Sequence, residues 1–580
     1  MFRRAIDEPR FHVPILLSLC LLLYFPFLSA RDLWEHENHY AEVTRIMLVE
    51  GSYALPMLNQ GVWADNPPFF FWLTLLVSRL AGEVNEWTMR ILPAVAGTAL
   101  ILVFYLFFRQ KFGPRMVFIA SMTLATALLT VHVVRHIPIN AIFFLFIVAS
   151  MFYFMEVLVF DSTRWRHVYG AWLFLALACL TKGPFTALFP ATVIALYLAA
   201  SHNWKKGLAL RPLTGGLLFL TVSMPWFAYA IRQTSGAWAE AFLAHQHFWH
   251  LNGNLGHDLK AVYYSAVSFP IYFFPWSFVF FPALIGLWPE RAKIRDGAIL
   301  FLVMWALSIF FFYPFYGEEH SHYLFLTFLP AALAVGVFLE RIIVSAPSDR
   351  VRDWTNGFLI FCCCFVIVAA ITGTVVAAVQ WRELVWKTAA VGLGLSAAAV
   401  LLLYASRIRN YAAATFIFAA LLIVPNLLIQ GSVLPAANWL EVRPFAEKIG
   451  AAVKPGAEVG IYERKAFLDF NFYSGIKRFE LLLKPKDAAK FLSRPGARYL
   501  LARKRSLPKL QENWKGKLQV VLTQDAGGSE WWFPPSGRWV LLHSCSGGCE
   551  SPPSFAKSDH PLSAPAQAAL HRRHRPAGRP

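Results

Sequence analysis

Long apolar stretches separated by short polar segments recur along this chain up to about residue 430, and they constrain its fold most. A helix needs about 20 mostly apolar residues to cross a membrane. Of all residues, 57% are hydrophobic and 15% are charged, whereas soluble globular proteins are about 45–50% apolar and about 25% charged. The pattern predicts an α-helical polytopic membrane protein with about 13 transmembrane helices. We expect these spans at 12–30, 90–108, 116–134, 138–158, 168–181, 184–201, 213–231, 262–287, 297–314, 322–339, 356–379, 385–405 and 411–429.

The Lys and Arg residues between the predicted spans indicate how the chain is oriented in the membrane. They are concentrated on alternate short segments, for example 109–115, 205–211 and 291–295. Because cytoplasmic loops are enriched in Lys and Arg, we predict that these segments and the N-terminus lie inside. The net charge of +19 is therefore spread over alternate loops and does not form the single basic face of a nucleic-acid-binding protein. We expect membrane lipids, and no nucleic acid, as partners.

After residue 430 the composition changes to that of a soluble domain, and an odd number of spans would place this region outside. Helical patterns at 444–453 and 486–493 alternate with short apolar, β-type runs at 458–462, 498–502, 517–523 and 538–543. We predict a transmembrane domain over 1–430 and a small outer α/β domain over 431–545. The tail 546–580, rich in Pro, Ala, Ser, His and Arg, is predicted to be disordered.

The first outer loop, 31–88, opens with a cluster of ionisable residues directly after the first predicted span. The cluster consists of Asp32, Glu35, His36, Glu37 and Tyr40, with further polar residues around them. One of these carboxylates could act as a base that removes a proton from a hydroxyl or amine acceptor. The alternative is a solvated cap on a helix that lies along the membrane surface. Both interpretations stay open on composition alone.

A second polar pair in this loop, Asp65-Asn66, precedes Pro67-Pro68 and a run of aromatic residues. A belt of aromatic side chains at the membrane interface explains the aromatic run. It does not explain the two polar residues, so we retain both as candidates for a substrate site.

Three basic residues lie on the predicted outer side, against the charge bias: Arg90, Arg135 and Lys182. Each could simply extend its charged end to the membrane surface. If several of them lay close together in an acidic cavity at the outer face, they would instead suit the phosphate group of a lipid donor.

Two further clusters could bind ligands, including a divalent metal. One is the His-rich segment 245–258, and the other is 318–323, which contains Glu319, His322 and Tyr323. His and carboxylate groups this close could hold a divalent metal, but the spacing follows no fixed ligand pattern. The alternative is a structural or hydrogen-bonding role for the His-rich segment and a solvated loop for 318–323, and no cofactor is certain.

Several short motifs, taken in order, are similar to those of a known family. They are Leu33-Trp34…Glu37…Tyr40-Ala41-Glu42…Arg45, Asn66-Pro67-Pro68…Trp72, Arg90-Ile91-Leu92-Pro93, Thr181-Lys182-Gly183-Pro184, Pro225-Trp226, Tyr263-Tyr264…Pro275-Trp276 and His322-Tyr323…Pro330. In their order and topology they resemble the membrane glycosyltransferases of the aminoarabinose transferase and protein O-mannosyltransferase superfamily. The resemblance extends over nearly the whole chain. It implies a GT-C fold and transfer of a sugar from a polyprenyl-phosphate carrier to an acceptor at the outer membrane face.

The resemblance also implies roles for individual residues. It makes Glu37 the acid that acts as base or orients the acceptor, in the matching pair His36-Glu37, with Glu35 and Asp32 in reserve. Arg90 and Lys182 would hold the donor phosphate, with Asn66 at the position of the family's phosphate-binding lysine. His36 stands where the family has Asp, Asn140 stands where Asp is common, and Glu319 stands where Lys is frequent.

We therefore expect a glycosyltransferase of the bacterial inner membrane with a polyprenyl-phosphate-sugar donor and a lipid or glycan acceptor. The departures from the family's motifs support an alternative, a catalytically altered relative that binds a lipid-linked sugar or scaffolds envelope assembly. A transporter is the third hypothesis. It ranks last because the charged residues lie on outer loops and no internal repeat is evident. The sugar, the acceptor and the oligomeric state do not follow from the sequence.

Overall fold

The computed structural model describes residues 2–33, 36–59, 61–136, 138–243, 266–287, 297–316, 322–344, 349–380, 385–421, 423–433, 442–462, 467–514, 517–524 and 539–545. The described chain divides into two compact units. Among the described residues, the first unit comprises those within 2–451 and 467–479, and the second comprises those within 452–462, 480–524 and 539–545.

The first unit is mainly helical. Its helices are α1 (Phe2–Asp7), α2 (His12–Tyr24), α3 (His36–Glu50), α4 (Phe69–Ala81), α5 (Glu86–Phe112), α6 (Pro114–Thr126), α7 (Leu128–His136), α8 (Pro138–Leu158), α9 (Trp165–Lys182), α10 (Leu188–Ala200), α11 (Pro212–Gln233), α12 (Ala237–Leu243), α13 (Ala266–Tyr272), α14 (Ser277–Leu287), α15 (Gly297–Tyr316), α16 (Phe325–Val344), α17 (Asp349–Gln380), α18 (Val385–Arg407), α19 (Tyr411–Ala420), α20 (Ile423–Leu428), α21 (Val442–Ala452) and α22 (Phe467–Ser474). Each predicted span coincides over most of its described length with one of these helices or with two consecutive ones.

Six helices in the described part of the chain are long and apolar enough to cross a membrane, or up to eight if each bent pair is counted as one span. One bent pair is α6 with α7, which meet at 56°, and the other is α13 with α14, which meet at 114°. A polytopic helical membrane protein is therefore confirmed, while the number of about 13 spans stays a prediction.

The sequence explains where α5 begins and why α8 is buried. Asn85 caps α5 by accepting a hydrogen bond from the Thr88 N–H, and the Thr88 hydroxyl accepts one from the Asn85 N–H. This reciprocal cap satisfies two backbone donors at the helix start. Helix α8 is apolar nearly all round and has most of its side chains buried, as expected for a helix at the centre of a bundle.

The loop between α2 and α5 contains two helices and a small hairpin. Helices α3 and α4 lie in this loop, and strands β1 (Met57–Leu58) and β2 (Gly61–Val62) pair antiparallel between them. The indole of Trp72 donates to the Tyr53 carbonyl at 2.8 Å, and that of Trp226 donates to the Ala54 carbonyl at 2.7 Å. These two bonds attach the turn after α3 to α4 and α11.

The second unit is built on a five-stranded sheet. Strands β3 (Glu458–Tyr462), β4 (Phe479–Leu482), β5 (Arg498–Arg503), β6 (Lys517–Thr523) and β7 (Trp539–Cys545) lie in the order β4-β3-β5-β7-β6. Strand β3 is parallel to β5, and β7 is antiparallel to both β5 and β6. Helices α23 (Pro485–Leu492) and α24 (Leu507–Asn513) pack through Phe491 and Leu510 against the face that carries Leu500 and Leu542.

The elements predicted after residue 430 occur near the predicted positions, but the division of the chain differs from the predicted one. Helices α21 and α22 belong to the first unit, whereas the predicted outer domain begins at 431 and includes both. The physical reason is that α22 packs against α3 of the first loop. The domain limits 431–545 and the tail 546–580 stay predictions.

Candidate functional site

The first loop contains a buried carboxylate held by two arginines. Glu37, in the first turn of α3, has 1% of its surface exposed. Arg90 from α5 binds it in bidentate fashion, with Nε 2.9 Å from Oε1 and Nη2 2.9 Å from Oε2. Arg31 adds a third bond from Nη2 to Oε2 at 2.7 Å. Bidentate guanidinium–carboxylate pairs are strong and directional, so this cluster sets the orientation of the start of α3.

Arg90 also fixes the backbone that leads into α3. Its Nη1 donates to the carbonyls of Leu28 and Arg31, both at 2.7 Å, and its Nη2 donates to the carbonyl of Asp32 at 2.9 Å. A guanidinium has five N–H donors, and together with the two bonds to Glu37 all five are used. All five bonds hold other parts of the protein in place. Binding of the donor phosphate by Arg90 therefore stays a prediction.

A second set of polar groups surrounds the Asp32 and Leu33 end of this loop. Arg443 of α21 lies 3.0 Å from Glu86 and 3.4 Å from Asp32, measured from its Nη1 to the carboxylate oxygens. The Tyr473 hydroxyl donates to Glu86 at 2.9 Å and accepts from the Leu33 N–H at 2.7 Å. Sequence reasoning placed Asp32 in the site but missed Glu86, Arg443 and Tyr473, because no local pattern links positions so far apart in the chain.

Lys182 ends α9 and reaches a tyrosine on a distant segment. Its Nζ donates to the Tyr323 hydroxyl at 2.7 Å and lies 4.5 Å from the centre of the Tyr323 ring and 5.7 Å from that of Phe143. Within the described part of the chain it forms no ion pair with a carboxylate. The structure thus brings together two predicted site residues, Lys182 and Tyr323, in a position where an ammonium could meet an anion. The ring of His322 lies 4.7 Å from that of Tyr323.

Tyr40, Asp65 and Asn66 form a third group. Burial raises the pKa of the Tyr40 hydroxyl, and the Asp65 carboxylate raises it further, while a hydrogen bond with Asn66 lowers it. The Tyr40 ring packs edge-on against Phe70 and Phe71. Asn66 is buried and Asp65 is partly exposed. The structure therefore places the two polar residues before the double proline beside the cluster on α3.

Arg135 has a role that is visible only in the fold. Its Nη1 donates to the carbonyls of Leu23 and Tyr24 at 3.1 and 2.9 Å, and its Nη2 donates to that of Pro26 at 2.7 Å. The carbonyls of Leu23 and Tyr24 are at the end of α2, where they have no partner within the helix, and Pro26 follows the helix by two residues. Arg135 thus caps α2, while its predicted place in the substrate site stays a prediction.

The remaining predicted site residues are only partly described. Asn140 is buried in α8, and its side-chain oxygen has no hydrogen-bond partner among the described residues. His36 begins α3, but its side chain, Glu35, Glu319 and the His-rich segment 245–258 lie outside the described residues. Among the residues that the structure describes, no three His, Cys, Asp or Glu side chains are placed to hold a metal ion.

Comparison with known proteins supports the resemblance inferred from the motifs. Residues 65–229 match the family model described as dolichyl-phosphate-mannose-protein mannosyltransferase. The chain is 27% identical over 331 residues to the undecaprenyl phosphate-alpha-4-amino-4-deoxy-L-arabinose arabinosyl transferase of Edwardsiella ictaluri (strain 93-146), covering 56% of this chain and 58% of that protein. It is 26% identical over 344 residues to the protein of the same name from Pseudomonas aeruginosa (strain UCBPP-PA14), covering 58% and 61%. The matched part therefore spans less than two thirds of these relatives.

The fold is also similar to that of a solved structure. ArnT from Cupriavidus metallidurans bound to undecaprenyl phosphate superposes with a TM-score of 0.72 at 18% identity, covering 92% of this chain and 97% of that one. The apo form of the same protein gives a TM-score of 0.69 at 19% identity. Likeness at this level of identity shows the fold. Together with the sequence matches, it confirms the resemblance to the GT-C glycosyltransferase superfamily.

Proposed function

We propose that this chain is a glycosyltransferase of the bacterial inner membrane that transfers a sugar from a polyprenyl-phosphate-linked donor to a lipid or other envelope acceptor at the outer face. Support comes from the names of its bacterial relatives, which act on undecaprenyl-phosphate-linked aminoarabinose by their description. It also comes from the similar structure, which is described as bound to undecaprenyl phosphate.

The observation that carries the proposal is the position of Lys182. Its ammonium is oriented by a hydroxyl and two rings and is not paired with a carboxylate within the described residues. A cation preplaced in this way can stabilise the negative charge that develops on a phosphate as it leaves the sugar. We assign Lys182 and Tyr323 to the donor phosphate.

The acceptor side of the reaction is assigned to the first loop. The acceptor oxygen or nitrogen attacks the anomeric carbon, the bond from that carbon to the phosphate oxygen breaks, and the acceptor proton passes to a carboxylate. Glu37 is engaged by Arg31 and Arg90, so it would have to release an arginine to take the proton. We therefore assign Glu37 to orientation of the loop and Asp65, which is partly exposed, to the acceptor side.

The test is sugar transfer by the full chain in lipid nanodiscs, with envelope lipid extract as the source of donor and acceptor. We expect Lys182→Met to lower the rate at least ~100-fold, as for loss of one preplaced group that stabilises charge in the transition state. Lys206→Met is the matched control, because Lys206 pairs with the exposed Asp161 at 2.7 Å. Equal rates for Lys182→Met and the wild type would contradict the assignment.

Specific observations favour the second candidate, a relative that binds lipid-linked sugar without transferring it. Arg90 and Glu37 are occupied by each other and by backbone groups, and Asn66 replaces the family's lysine. Under this hypothesis the wild type binds a polyprenyl phosphate in a Lys182-dependent manner but transfers no sugar. Mass spectrometry of envelope lipids from a deletion strain separates the two, because only the enzyme hypothesis predicts a lost glycosylated lipid.

A further inference from the structure

We propose that α21 and α22 act as a positioning element for the first loop, with Arg443 and Tyr473 holding residues 32–33 and Glu86 so that the Glu37 cluster keeps its geometry. The consequence for sugar transfer rests on the proposed function. The positioning itself rests only on contacts within the first unit.

Arg443 bridges two acidic residues of the first-loop region. This residue follows the last candidate span, yet its guanidinium lies between two carboxylates of the first-loop region, Asp32 and Glu86. Its Nε also lies 3.0 Å from Glu447 on the same helix. The Glu86 side chain is 11% exposed and that of Asp32 is 23% exposed. In such partly buried surroundings two neighbouring carboxylates repel each other, and a cation between them offsets that repulsion.

The electrostatics of Asp32 follow from this geometry. Its carboxyl has a raised pKa, chiefly because of burial and also because of the neighbouring Glu86, and Arg443 opposes that rise. Arg443 is therefore the group that keeps two adjacent acids compatible at the entrance to the loop.

The Tyr473 hydroxyl uses both its donor and its acceptor capacity. It donates to Glu86 and accepts from the Leu33 backbone N–H, and its ring lies 5.3 Å below the Arg443 guanidinium. Arg443, Glu86 and Tyr473 thus form a connected network, and the network ends on the backbone of the loop. A side chain bound to a main-chain N–H fixes that stretch of backbone directly.

Asp32 connects this network to the cluster of Glu37, Arg31 and Arg90. The carbonyl of Asp32 accepts from Arg90, while its carboxylate lies beside Arg443. Residues 31–33 are therefore held from one side by Arg90 and from the other by Arg443 and Tyr473. If the second set of contacts is lost, Arg31 and Glu37 can shift with the loop. A displacement of about 1 Å in a positioned group can lower a rate about 100-fold.

The experiment uses the full chain in nanodiscs and has two readouts: hydrogen exchange of the Leu33 amide and the kinetics of sugar transfer. We expect Arg443→Gln and Tyr473→Phe to speed exchange of the Leu33 amide at least about tenfold, because its partner is removed or released. We expect kcat to fall about 10-fold to 100-fold while KM for the donor stays within about twofold. Arg443→Lys, which keeps the charge, should recover part of both effects.

Tyr473→Phe removes a single hydroxyl and keeps the ring, so it tests the proposal even if Arg443→Gln fails to fold. Arg494→Gln is the control, because Arg494 pairs with Glu480 inside the second unit and should leave both readouts unchanged. Unchanged Leu33 exchange in Tyr473→Phe would overturn the proposal. If the wild type transfers no sugar, the proposed function fails, while the exchange measurement still decides the positioning.

Discussion

At the scale of single residues, the most informative feature is a buried carboxylate with more positive than negative charge around it. Glu37 is shared by Arg31 and Arg90, and Arg90 uses its remaining donors on three backbone carbonyls. Burying such charges is costly unless each one is paired. The cluster is therefore better suited to hold the loop in one conformation than to exchange protons.

Glu37→Gln should lower the free energy of unfolding as well as sugar transfer. The amide leaves two buried guanidinium groups without their counter-charge, and breaking a buried pair in this way costs about 3–5 kcal/mol. We expect a clear fall in the melting temperature of the purified protein, measured by intrinsic fluorescence. Glu50→Gln removes the exposed pair with Lys477 and should change stability by less than about 1 kcal/mol. Equal melting temperatures for the two variants would mean that Glu37 has no structural role and would favour the role of base.

At the scale of secondary-structure elements, side chains from distant helices satisfy the ends of helices in the bundle. Arg135 on α7 binds two carbonyls at the end of α2 and a third just beyond it. In the hydrocarbon of a membrane an unsatisfied carbonyl costs several kcal/mol, because no water is available to it. Helix ends are therefore sites where one long polar side chain contributes strongly to stability.

Arg135→Met should destabilise the junction between α2 and α7. The substitution keeps an apolar stem and removes the three bonds, so we expect a loss of about 2 kcal/mol or more in the free energy of unfolding. Thermal unfolding of the purified chain measures it. Arg232→Met in the exposed last turn of α11 is the matched control and should stay within about 0.5 kcal/mol of the wild type. A similar loss in both variants would show that the capping bonds contribute nothing specific.

At the scale of the whole molecule, the chain combines a helical unit with candidate membrane spans and an α/β unit built on a mixed sheet. The distribution of basic residues predicts that the first loop and the second unit face outward. This orientation is the basis for placing the proposed chemistry at the outer face of the membrane.

Labelling of single cysteines tests the orientation directly. In intact cells whose outer membrane has been made permeable, an impermeant maleimide should label Glu83→Cys in the first loop and Ser493→Cys in the second unit. It should leave Asp161→Cys unlabelled until the inner membrane is opened. All three positions are exposed, so access to the reagent is decided by the membrane. Each cysteine is introduced into a chain whose seven native cysteines are replaced by Ser or Ala, and that chain without an added cysteine measures background. Labelling of Asp161→Cys in intact cells would reverse the predicted orientation.

Local pattern was sufficient to predict where the elements lie. The apolar stretches coincide with helices, and the runs at 458–462 and 498–502 coincide with β3 and β5. A helix or strand shows itself in the sequence because burial of one face or of the whole element repeats over neighbouring residues. The motifs around Glu37 and Lys182 likewise indicated the family resemblance.

The partners of the charged residues were decided only by the tertiary structure. Arg90, Arg135 and Lys182 give the same signal in the sequence, a cation on the predicted outer side. In the structure both arginines bind backbone carbonyls of other elements. Lys182 instead donates to the Tyr323 hydroxyl and forms no ion pair among the described residues. Arg443 and Tyr473 reach Asp32 and Leu33 from more than 400 positions away. Composition and periodicity determine which segments are buried. Which polar group meets which buried charge depends on how distant elements pack, and local sequence carries no record of that.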